Sequence, residues 1–476
     1  MIAQVGVGGA RGVNRRFGRI VGRNSIDDVF FDPRASRDLL VGVLPHPFCN
    51  PAVTGCGFCT FPHERYDAGR AAEVVDHVVQ EIDSRLARQP ALARRRVGAL
   101  YIGGGTANLT PAGPFRRLCR RLTAAFDLSG AEVTLEGVPS YFVVRKPLLI
   151  DILREEMPAR HFRLSMGVQT FDEERLRQMG RLAFGTADTF AKVVEMAHAR
   201  SFTVSADLLF NLPGQGLGEM RQDVDRGLRI GLDHLGLYHL VMFRGLGTAW
   251  SRDRSMLAGL PTNEQAAGNW LALRDLLLEH GFVQTTLTNF ERACYQGDSR
   301  RFIYEEMSFQ ADRIDMAGFG PGAISFAAAR PFTGGLKVLN PEGADNYVAA
   351  VRSRQAPWDR YFEYGAWDLR IFYLTRRLAA LEIDRRRYAQ LFGTDPLADF
   401  AGAFRALLDE ELLEVTATTV RPTPRGMFYA DSIAALLAWR QIEARRRWKP
   451  PSSLAPSLRY TGAPQQPGND NGRGFM

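Results

Sequence analysis

The sequence contains little cysteine and almost no lysine, and it lacks any long apolar run. Five cysteines in 476 residues, three of them crowded into residues 49–59, do not suggest the dispersed disulfides of a secreted protein. No stretch approaches the roughly 18 consecutive apolar residues that a membrane helix needs, and the first residues lack a signal peptide's apolar core. The sequence therefore predicts a cytoplasmic protein that does not bind or cross a membrane.

Positive charge dominates, although lysine occurs only four times. A net charge of +8 and a pI near 9.4 would suit a nucleic-acid partner, but the arginines are scattered over predicted helices. We interpret them as solvated helix faces and expect no nucleic-acid partner. Docking of an acidic redox protein on this basic surface is the alternative.

Short apolar runs alternate with helical patterns in the first half of the chain. These predicted strands are residues 39–46, 97–104, 131–137, 162–169, 202–210 and 234–243. Strands separated by helices run parallel, because each crossover returns the chain in the same direction. Six such units predict an α/β fold, a partial barrel with fewer units than the eight of a closed one.

The predicted organisation has five segments. They are an N-terminal arm (1–37), the partial barrel (38–250), a barrel extension (251–355), a helical C-terminal cap domain (356–448) and a disordered tail (449–476). The cap is mostly helical and ends in a helix, two strands and a helix, which is winged-helix-like. Both chain ends are rich in residues that do not build a core, which predicts disorder.

Three thiols follow closely on the first predicted strand: Cys49, Cys56 and Cys59. Thiolates at the carboxyl end of a barrel strand can hold a soft metal centre. An iron-sulfur cubane with three cysteine ligands keeps one iron open, whereas structural zinc is fully ligated by protein. Zinc held by these cysteines and His63 remains an alternative on spacing alone. Cys119 and Cys294 are interpreted as a buried apolar thiol and a loop thiol.

Polar residues and glycines stand at the ends of successive predicted strands. The second strand ends in Gly103–Gly105, which allows close approach of the backbone to a ligand. Glu136, Gln169 and Asp207 end later strands. Each of these features has a structural alternative, such as a tight turn, a helix cap or an ion pair. Together, at one barrel end, they predict a site for an amino acid, a ribose and an adenine.

These features resemble those of the radical SAM (S-adenosylmethionine) enzymes related to oxygen-independent coproporphyrinogen III oxidase. The resemblance covers roughly residues 38–325 and, more weakly, the C-terminal cap. It is carried by five motifs in order: PFC followed by CGFC, YIGGGT, LEGVP, SMGVQTFDEERLRQMGR and DLLFNLPGQ. A glycine-rich turn, GFGPGAIS at 318–325, is also similar to the family.

The resemblance implies that Cys49, Cys56 and Cys59 hold a 4Fe-4S cluster whose open iron binds SAM. One electron from the cluster then splits SAM into methionine and a 5'-deoxyadenosyl radical. The residues implied to contact this SAM are Phe58, Gly104 and Glu136. The positions associated with a second SAM are Gly105, Thr106, Gln169, Arg181 and Asp207. An electron donor such as an acidic flavodoxin or ferredoxin is a further implied partner.

The sequence departs from the family at several positions. The interval between the first two cysteines is three residues longer than usual, which predicts a loop that bulges at Pro51 and Gly55. Val43 and Pro45 stand where the family commonly has Tyr and His, which weakens the case for coproporphyrinogen oxidation. Residues 306–311 read EMSFQA in place of the HNxxYW motif of the haem chaperones, which disfavours haem delivery by that motif.

Three functions remain open from the sequence. The leading hypothesis is methylation or cyclisation of an unactivated carbon with a second SAM, because the second-SAM positions are retained. The first alternative is oxidative decarboxylation of a porphyrinogen, which the many arginines would permit. The second is a non-catalytic carrier of haem or of a cluster.

Overall fold

The structure, a computed structural model, describes residues 19–20, 37–49, 56–61, 63–353 and 356–447. Its strands are Arg19–Ile20 (β1), Asp38–Val43 (β2), Phe48–Cys49 (β3), Glu64–Arg65 (β4), Val97–Ile102 (β5), Glu132–Gly137 (β6), His161–Gln169 (β7), Thr203–Phe210 (β8), His234–His239 (β9), Phe282–Gln284 (β10), Asn289–Arg292 (β11), Ile314–Phe319 (β12), Ile324–Ala328 (β13), Gly335–Leu339 (β14), Arg360–Tyr364 (β15), Ile383–Asp384 (β16), Leu413–Val415 (β17) and Thr419–Pro422 (β18).

Helices cover most of the remaining described chain. They are Ala68–Arg88 (α1), Pro90–Ala93 (α2), Ala112–Ala125 (α3), Pro139–Val144 (α4), Leu149–Glu156 (α5), Glu173–Gln178 (α6), Ala187–His198 (α7), Leu217–Arg229 (α8), Ala249–Arg252 (α9), Arg254–Ala258 (α10), Asn263–Glu279 (α11), Tyr304–Ser308 (α12), Ala344–Ser353 (α13), Ala366–Ala379 (α14), Arg385–Phe392 (α15), Pro396–Asp399 (α16), Ala401–Asp409 (α17), Pro424–Phe428 (α18) and Ala430–Arg447 (α19). No helix among the described residues is long and apolar enough to cross a membrane.

Thirteen strands form one mixed sheet in the order β1-β15-β14-β13-β12-β2-β5-β6-β7-β8-β9-β11-β10. Strands β2 and β5 to β9 are neighbours and run parallel, which confirms the predicted α/β partial barrel of six units. The sequence did not predict that β12 pairs in parallel with β2. Antiparallel strands β11 and β13 continue the sheet on its two sides.

Residues of the barrel strands alternate between two environments. Leu135, Leu164 and Val204 are fully buried in the core that the sheet shares with its helices. Their neighbours Arg163 and Ser205 are hydrogen-bonded to each other and so face the barrel interior. This alternation follows from the period of two of a strand, so one strand supplies both the apolar core and a polar interior.

The helices pack on the outside of the strands because each has one apolar stripe. Helix α1 begins at Asp67, whose side chain accepts a hydrogen bond from the backbone N–H of Arg70 at 2.8 Å. Its residues Val74, Val78 and Ile82 recur at helical spacing and are fully buried. Complete burial of such a side chain stabilises the fold by about 1.5–3 kcal/mol.

The C-terminal region is mostly helical, as predicted, and has an apolar core of its own. A small sheet in the order β16-β18-β17 lies among helices α14 to α19. Leu369, Phe372, Phe404 and Val420 are buried together in this core. The predicted segment boundaries remain predictions. The predicted disordered tail (449–476) and most of the N-terminal arm (1–37) lie outside the described residues.

Candidate functional site

The predicted site residues lie at the carboxyl edge of the parallel sheet. Strands β2, β5, β6 and β7 end at Val43, Ile102, Gly137 and Gln169, and parallel pairing brings these ends to the same edge. Leu44 follows β2 and leads into the first cysteine strand, β3. This edge, which we call the barrel mouth, is where parallel barrels place ligand-binding loops.

The three clustered cysteines are half-buried at the barrel mouth. The Sγ of Cys49 lies 3.2 Å from the hydroxyl of Thr106, and Arg181 Nη1 donates to the Sγ of Cys56 at 3.2 Å. The backbone N–H of Cys59 donates to the carbonyl of Cys56 at 3.0 Å, which closes a tight turn. Burial raises the pKa of the Cys59 thiol, and the nearby thiols of Cys56 and Cys49 raise it further. The three sulfurs therefore lie within electrostatic reach of one another.

The position of His63 bears on the zinc hypothesis. Among the described residues, no group of three or more His, Cys, Asp or Glu side chains is placed to hold a metal ion. His63, the fourth ligand of the zinc hypothesis, is exposed, and its Nδ1 lies 3.0 Å from the carbonyl of Phe61. Tetrahedral zinc needs every ligand within about 2.0–2.3 Å of one ion, whereas the cysteines of a cubane bind different irons. Three half-buried thiols with an exposed His63 fit the three-cysteine ligation of a cubane better than a closed, four-ligand zinc site. Residues 50–55, where the bulge is predicted, lie outside the described residues.

The glycine turn after β5 presses against the cysteine strand. Gly104 and Gly105 have φ angles of +84° and +51°, in the left-handed region that favours glycine. A Cβ on Gly105 would lie 2.8 Å from the carbonyl oxygen of Phe48, and one on Gly103 would lie 2.4 Å from Glu136 Oε2. Side chains are therefore excluded here by both conformation and space, and the backbone itself faces the mouth.

Glu136 offers a carboxylate to the barrel mouth. Its Oε2 accepts hydrogen bonds from the hydroxyl of Tyr101 at 2.9 Å and from the N–H of Gly104 at 3.4 Å. Its Oε1 has no hydrogen-bond partner in the described part of the chain, and the residue is half-buried. Burial raises the pKa of Tyr101, and the negative charges of Glu136 and Asp207 raise it further. Two carboxylates and the Arg163 guanidinium thus lie within electrostatic reach of Tyr101.

The structure brings Gln169 and Arg181 together around Gly167, near the end of β7. Gln169 has a φ of +72°, and the β7–β8 register shifts between Gly167 and Gln169. A Cβ on Gly167 would lie 2.9 Å from Gln169 Nε2 and 3.1 Å from Arg181 Nη2. Arg181 also donates to the carbonyl of Gly167. A non-glycine residue in the left-handed region costs about 1–2 kcal/mol, and such strain clusters at functional sites.

Phe58 lies in the cysteine turn and contacts a residue that the sequence analysis did not single out. The Phe58 and Trp250 rings are 6.0 Å apart in an edge-to-face arrangement. Trp250 is buried, and its backbone N–H donates to the carbonyl of Gly57 at 2.9 Å. A lone tryptophan in a helical pattern indicates only a core position, so the sequence carried no signal for this contact.

The region that holds these residues matches a known family. Residues 43–226 match the family model of the Radical SAM superfamily. This stretch includes the cysteines, the glycine turn and all the other predicted site residues from Phe58 to Asp207. The match confirms that the chain carries a radical SAM domain, as the sequence motifs predicted.

Curated relatives cover this domain and, in one case, most of the chain. The heme chaperone HemW of Bacillus subtilis is 23% identical over 396 residues, which are 81% of this chain and 96% of HemW. HemW of Escherichia coli K12 is 30% identical over 207 residues, 41% of this chain and 49% of its own. Anaerobilin synthase of Escherichia coli O157:H7 is 30% identical over 197 residues, 41% of each protein.

A solved structure shares the whole fold. HemN, the coproporphyrinogen III oxidase of Escherichia coli, superposes with a TM-score of 0.71 and 21% sequence identity. The superposition covers 91% of this chain and 96% of HemN. The extent of this match includes the mostly helical C-terminal region as well as the barrel.

Proposed function

We propose, from the premise that residues 43–226 are a radical SAM domain, that the chain is an enzyme with a 4Fe-4S cluster held by Cys49, Cys56 and Cys59. The observation that carries this proposal is the position of three half-buried thiols beside a positive-φ glycine turn and a carboxylate. When bound, the reduced cluster would supply the electron that cleaves SAM to methionine and a 5'-deoxyadenosyl radical, the species that takes hydrogen from substrate.

The residues of the barrel mouth have separate tasks in this proposal. Glu136 Oε1 would accept a hydrogen bond from the ammonium group of SAM. Gly104 would let the backbone approach the same molecule, and Phe58 would pack against it. Glu136 and Asp207 together would attract the cationic sulfonium, because charges interact more strongly in a partly buried mouth than in water. The protein side chains would thus bind and orient SAM, while the cluster and SAM would supply the bond-breaking chemistry.

The reaction that we propose uses a second SAM as a methyl or methylene donor, to methylate or cyclise an unactivated carbon. Its binding residues would be Gly105, Thr106, Gln169, Arg181 and Asp207. Support comes from the contacts of Thr106 with Cys49 and of Arg181 with Cys56, which put two of these residues next to the thiols. The clustering of Gln169 with Arg181 supports a common ligand for both.

A heme-carrying role is a second candidate. It is supported by the similarity to the heme chaperone HemW over 81% of the chain. The sequence EMSFQA at 306–311 counts against delivery by the family motif. Oxidative decarboxylation of a porphyrinogen is a third, supported by the fold shared with HemN.

Cluster binding is tested by anaerobic reconstitution. We expect about four irons and four sulfides per chain, as a cubane requires. Cys56→Ala should lose the cluster and all SAM cleavage, because one of only three thiolate ligands is removed. Cys294→Ala is the matched control, since that thiol is exposed and outside the site. Zinc without iron in the reconstituted protein would contradict the proposal.

The reaction class is tested with SAM and a reductant. Release of 5'-deoxyadenosine supports radical chemistry, and additional S-adenosylhomocysteine supports use of a second SAM. Heme binding without release of 5'-deoxyadenosine would favour the carrier. Conversion of a porphyrinogen without S-adenosylhomocysteine would favour decarboxylation. We also propose that an acidic flavodoxin or ferredoxin donates the electron, so turnover with that donor should fall as ionic strength rises.

A further inference from the structure

The turn that carries two of the three cysteines is held from both sides at Gly57. The N–H of Gly57 donates to the carbonyl of Met179 at 3.3 Å, and its carbonyl accepts from the N–H of Trp250 at 2.9 Å. Both backbone groups of this residue are therefore bonded to distant parts of the chain. A movement of Gly57 away from its position would break one of these bonds.

The indole of Trp250 lies directly against Gly57. A Cβ on Gly57 would lie 2.2 Å from Trp250 Nε1 and 2.3 Å from its Cδ1. The φ of Gly57 is outside the left-handed region, so close contact alone requires glycine here. Trp250 is buried with Met179, Leu212 and other apolar residues, and an indole packed in this way cannot swing aside.

The segment that carries Trp250 is itself fixed to the barrel. The Thr248 side chain caps helix α9, accepting a hydrogen bond from the N–H of Ser251 at 3.2 Å. Further along, the carbonyl of Gly259 accepts from the N–H of Gly214 at 2.7 Å. Gly214 lies in the turn after β8, at the same mouth. Trp250 therefore connects the cysteine turn to a segment that is hydrogen-bonded to the barrel mouth.

We propose that Trp250 is a positioning residue that holds the Cys56–Cys59 turn ready for the cluster. This inference rests on the proposed function. In the absence of the indole, the turn would lose the apolar surface behind Phe58 and Gly57, and its thiolates would have to be ordered when the cluster binds. Preorganised ligands bind more tightly because this ordering is already complete.

The first experiment compares cluster retention in three variants reconstituted alongside the wild type. Trp250→Ala should lose iron to a chelator about tenfold faster or more, the scale of effects from residues that support metal ligands. Trp250→Phe keeps an aromatic surface against the turn and should restore part of the retention. Trp439→Ala is the matched control, because that tryptophan is exposed on α19. Retention in Trp250→Ala equal to the wild type would overturn the inference.

Stability and cluster properties separate positioning from simple unfolding. Thermal unfolding of the cluster-free proteins measures the loss of buried indole surface. In Trp250→Phe that loss should be small, while the reduction potential of the cluster should still shift, because the packing and exposure around its thiolates have changed. An unchanged potential in a folded variant that also keeps its iron would contradict a positioning role.

A double-mutant cycle tests the contact itself. Gly57→Ala should impair cluster retention, because the new methyl group meets the indole. The same change in a Trp250→Ala background should cost little, because the obstacle has gone. Residues in contact show such non-additive effects, whereas independent residues do not. Additive losses would show that Gly57 matters for a reason other than Trp250.

The two proposals fail in different ways. A wild-type protein that takes up no iron would contradict the proposed function. A wild-type protein that binds a cluster, with Trp250→Ala indistinguishable from it, would overturn only this inference. Tryptophan fluorescence gives an independent measurement: cluster loading should quench the wild type more than Trp250→Phe, because Trp250 lies beside the cysteine turn.

Discussion

Two layers of polar side chains line the same barrel strands, and they differ in how deeply they are buried. The inner layer consists of Glu132, Thr134, Arg163 and Ser205, all buried. The mouth layer consists of Tyr101, Glu136, Gln169 and Asp207, all half-buried. Strands β6, β7 and β8 each contribute residues to both layers. The two layers therefore differ neither in their strands nor in having polar residues.

The inner layer is closed by contacts within the protein. Arg163 Nε donates to the hydroxyl of Thr134 at 3.1 Å, and that hydroxyl donates to Glu132 Oε1 at 3.1 Å. Glu132 Oε2 accepts from the N–H of Ile303 at 2.7 Å, and the Arg163 guanidinium lies 3.7 Å from the centre of the Phe302 ring. In the mouth layer, by contrast, Glu136 keeps an oxygen free among the described residues. The enclosed layer stabilises the fold, whereas the free oxygen of Glu136 is available to the ligand that we propose.

The largest expected effect is the loss of the inner cation. Arg163→Met should lower the free energy of unfolding by about 3–5 kcal/mol, because it leaves the buried Glu132 carboxyl without the cation that balances its charge. Burial already raises the pKa of Glu132, and Arg163 is the main charge that opposes the rise. Urea unfolding of the cluster-free protein measures the change. The double variant Arg163→Met with Glu132→Gln should recover part of the loss, and no recovery would refute the pairing.

A substitution at the barrel mouth is expected to have a smaller effect, and only on the binding of SAM. Glu136→Gln should weaken SAM binding to the reconstituted protein by about 10–100-fold, since a charge-assisted hydrogen bond is worth about 1.5–3 kcal/mol. Stability should change little, because the residue is half-buried. Glu132→Gln is the matched control on the same strand and should leave SAM affinity within about twofold of the wild type, since its carboxyl is enclosed. Equal SAM affinities for the wild type and Glu136→Gln would contradict the proposed difference between the two layers.

The sequence predicted the six parallel strands of the barrel well, because each strand is a local apolar run between helices. All six predicted strands appear within a few residues of their expected bounds. It did not predict the pairing of β12 with β2, since that contact joins segments that are far apart in the chain. Nor did the sequence show which polar residues belong to the inner layer and which to the mouth layer. Glu132 and Glu136 lie on the same face of one strand, so the sequence pattern does not distinguish them.

Part of the candidate site could also be predicted, because it too depends on local patterns in the sequence. Cysteine spacing, glycine turns and strand-end carboxylates leave a local mark in the sequence, and the structure brings them to one edge. The contact of Trp250 with Gly57 leaves no such mark, since a buried tryptophan has the same pattern wherever it packs. The hydrogen bond from Arg181 to Cys56 likewise depends on the path of the chain between β7 and α7.

The last effect that we predict is gradual and concerns the pH dependence of stability at the edge of the inner layer. Burial raises the pKa of Glu291 to about 7, and the charge of Glu132 adds to the rise, while Arg301, Arg163 and the N–H of Phe302 oppose it. The usual value is 4.5, so between about pH 4.5 and 7 the folded protein keeps a proton that the unfolded chain has lost. The free energy of unfolding should therefore fall as pH rises through this window, by about 1 kcal/mol per pH unit from this group.

Glu291→Gln should remove that contribution, because an amide does not titrate. The difference between wild-type and variant unfolding free energies, measured in urea from pH 5 to 8, should change across the window and level off above pH 7. Glu410→Gln, an exposed carboxyl in the C-terminal region, is the control and should give a flat difference. Parallel pH profiles for the wild type and Glu291→Gln would show that this carboxyl is already charged in the folded protein. The inner layer would then hold a further ionised carboxyl, and the contrast between the layers would rest on burial and hydrogen bonding alone.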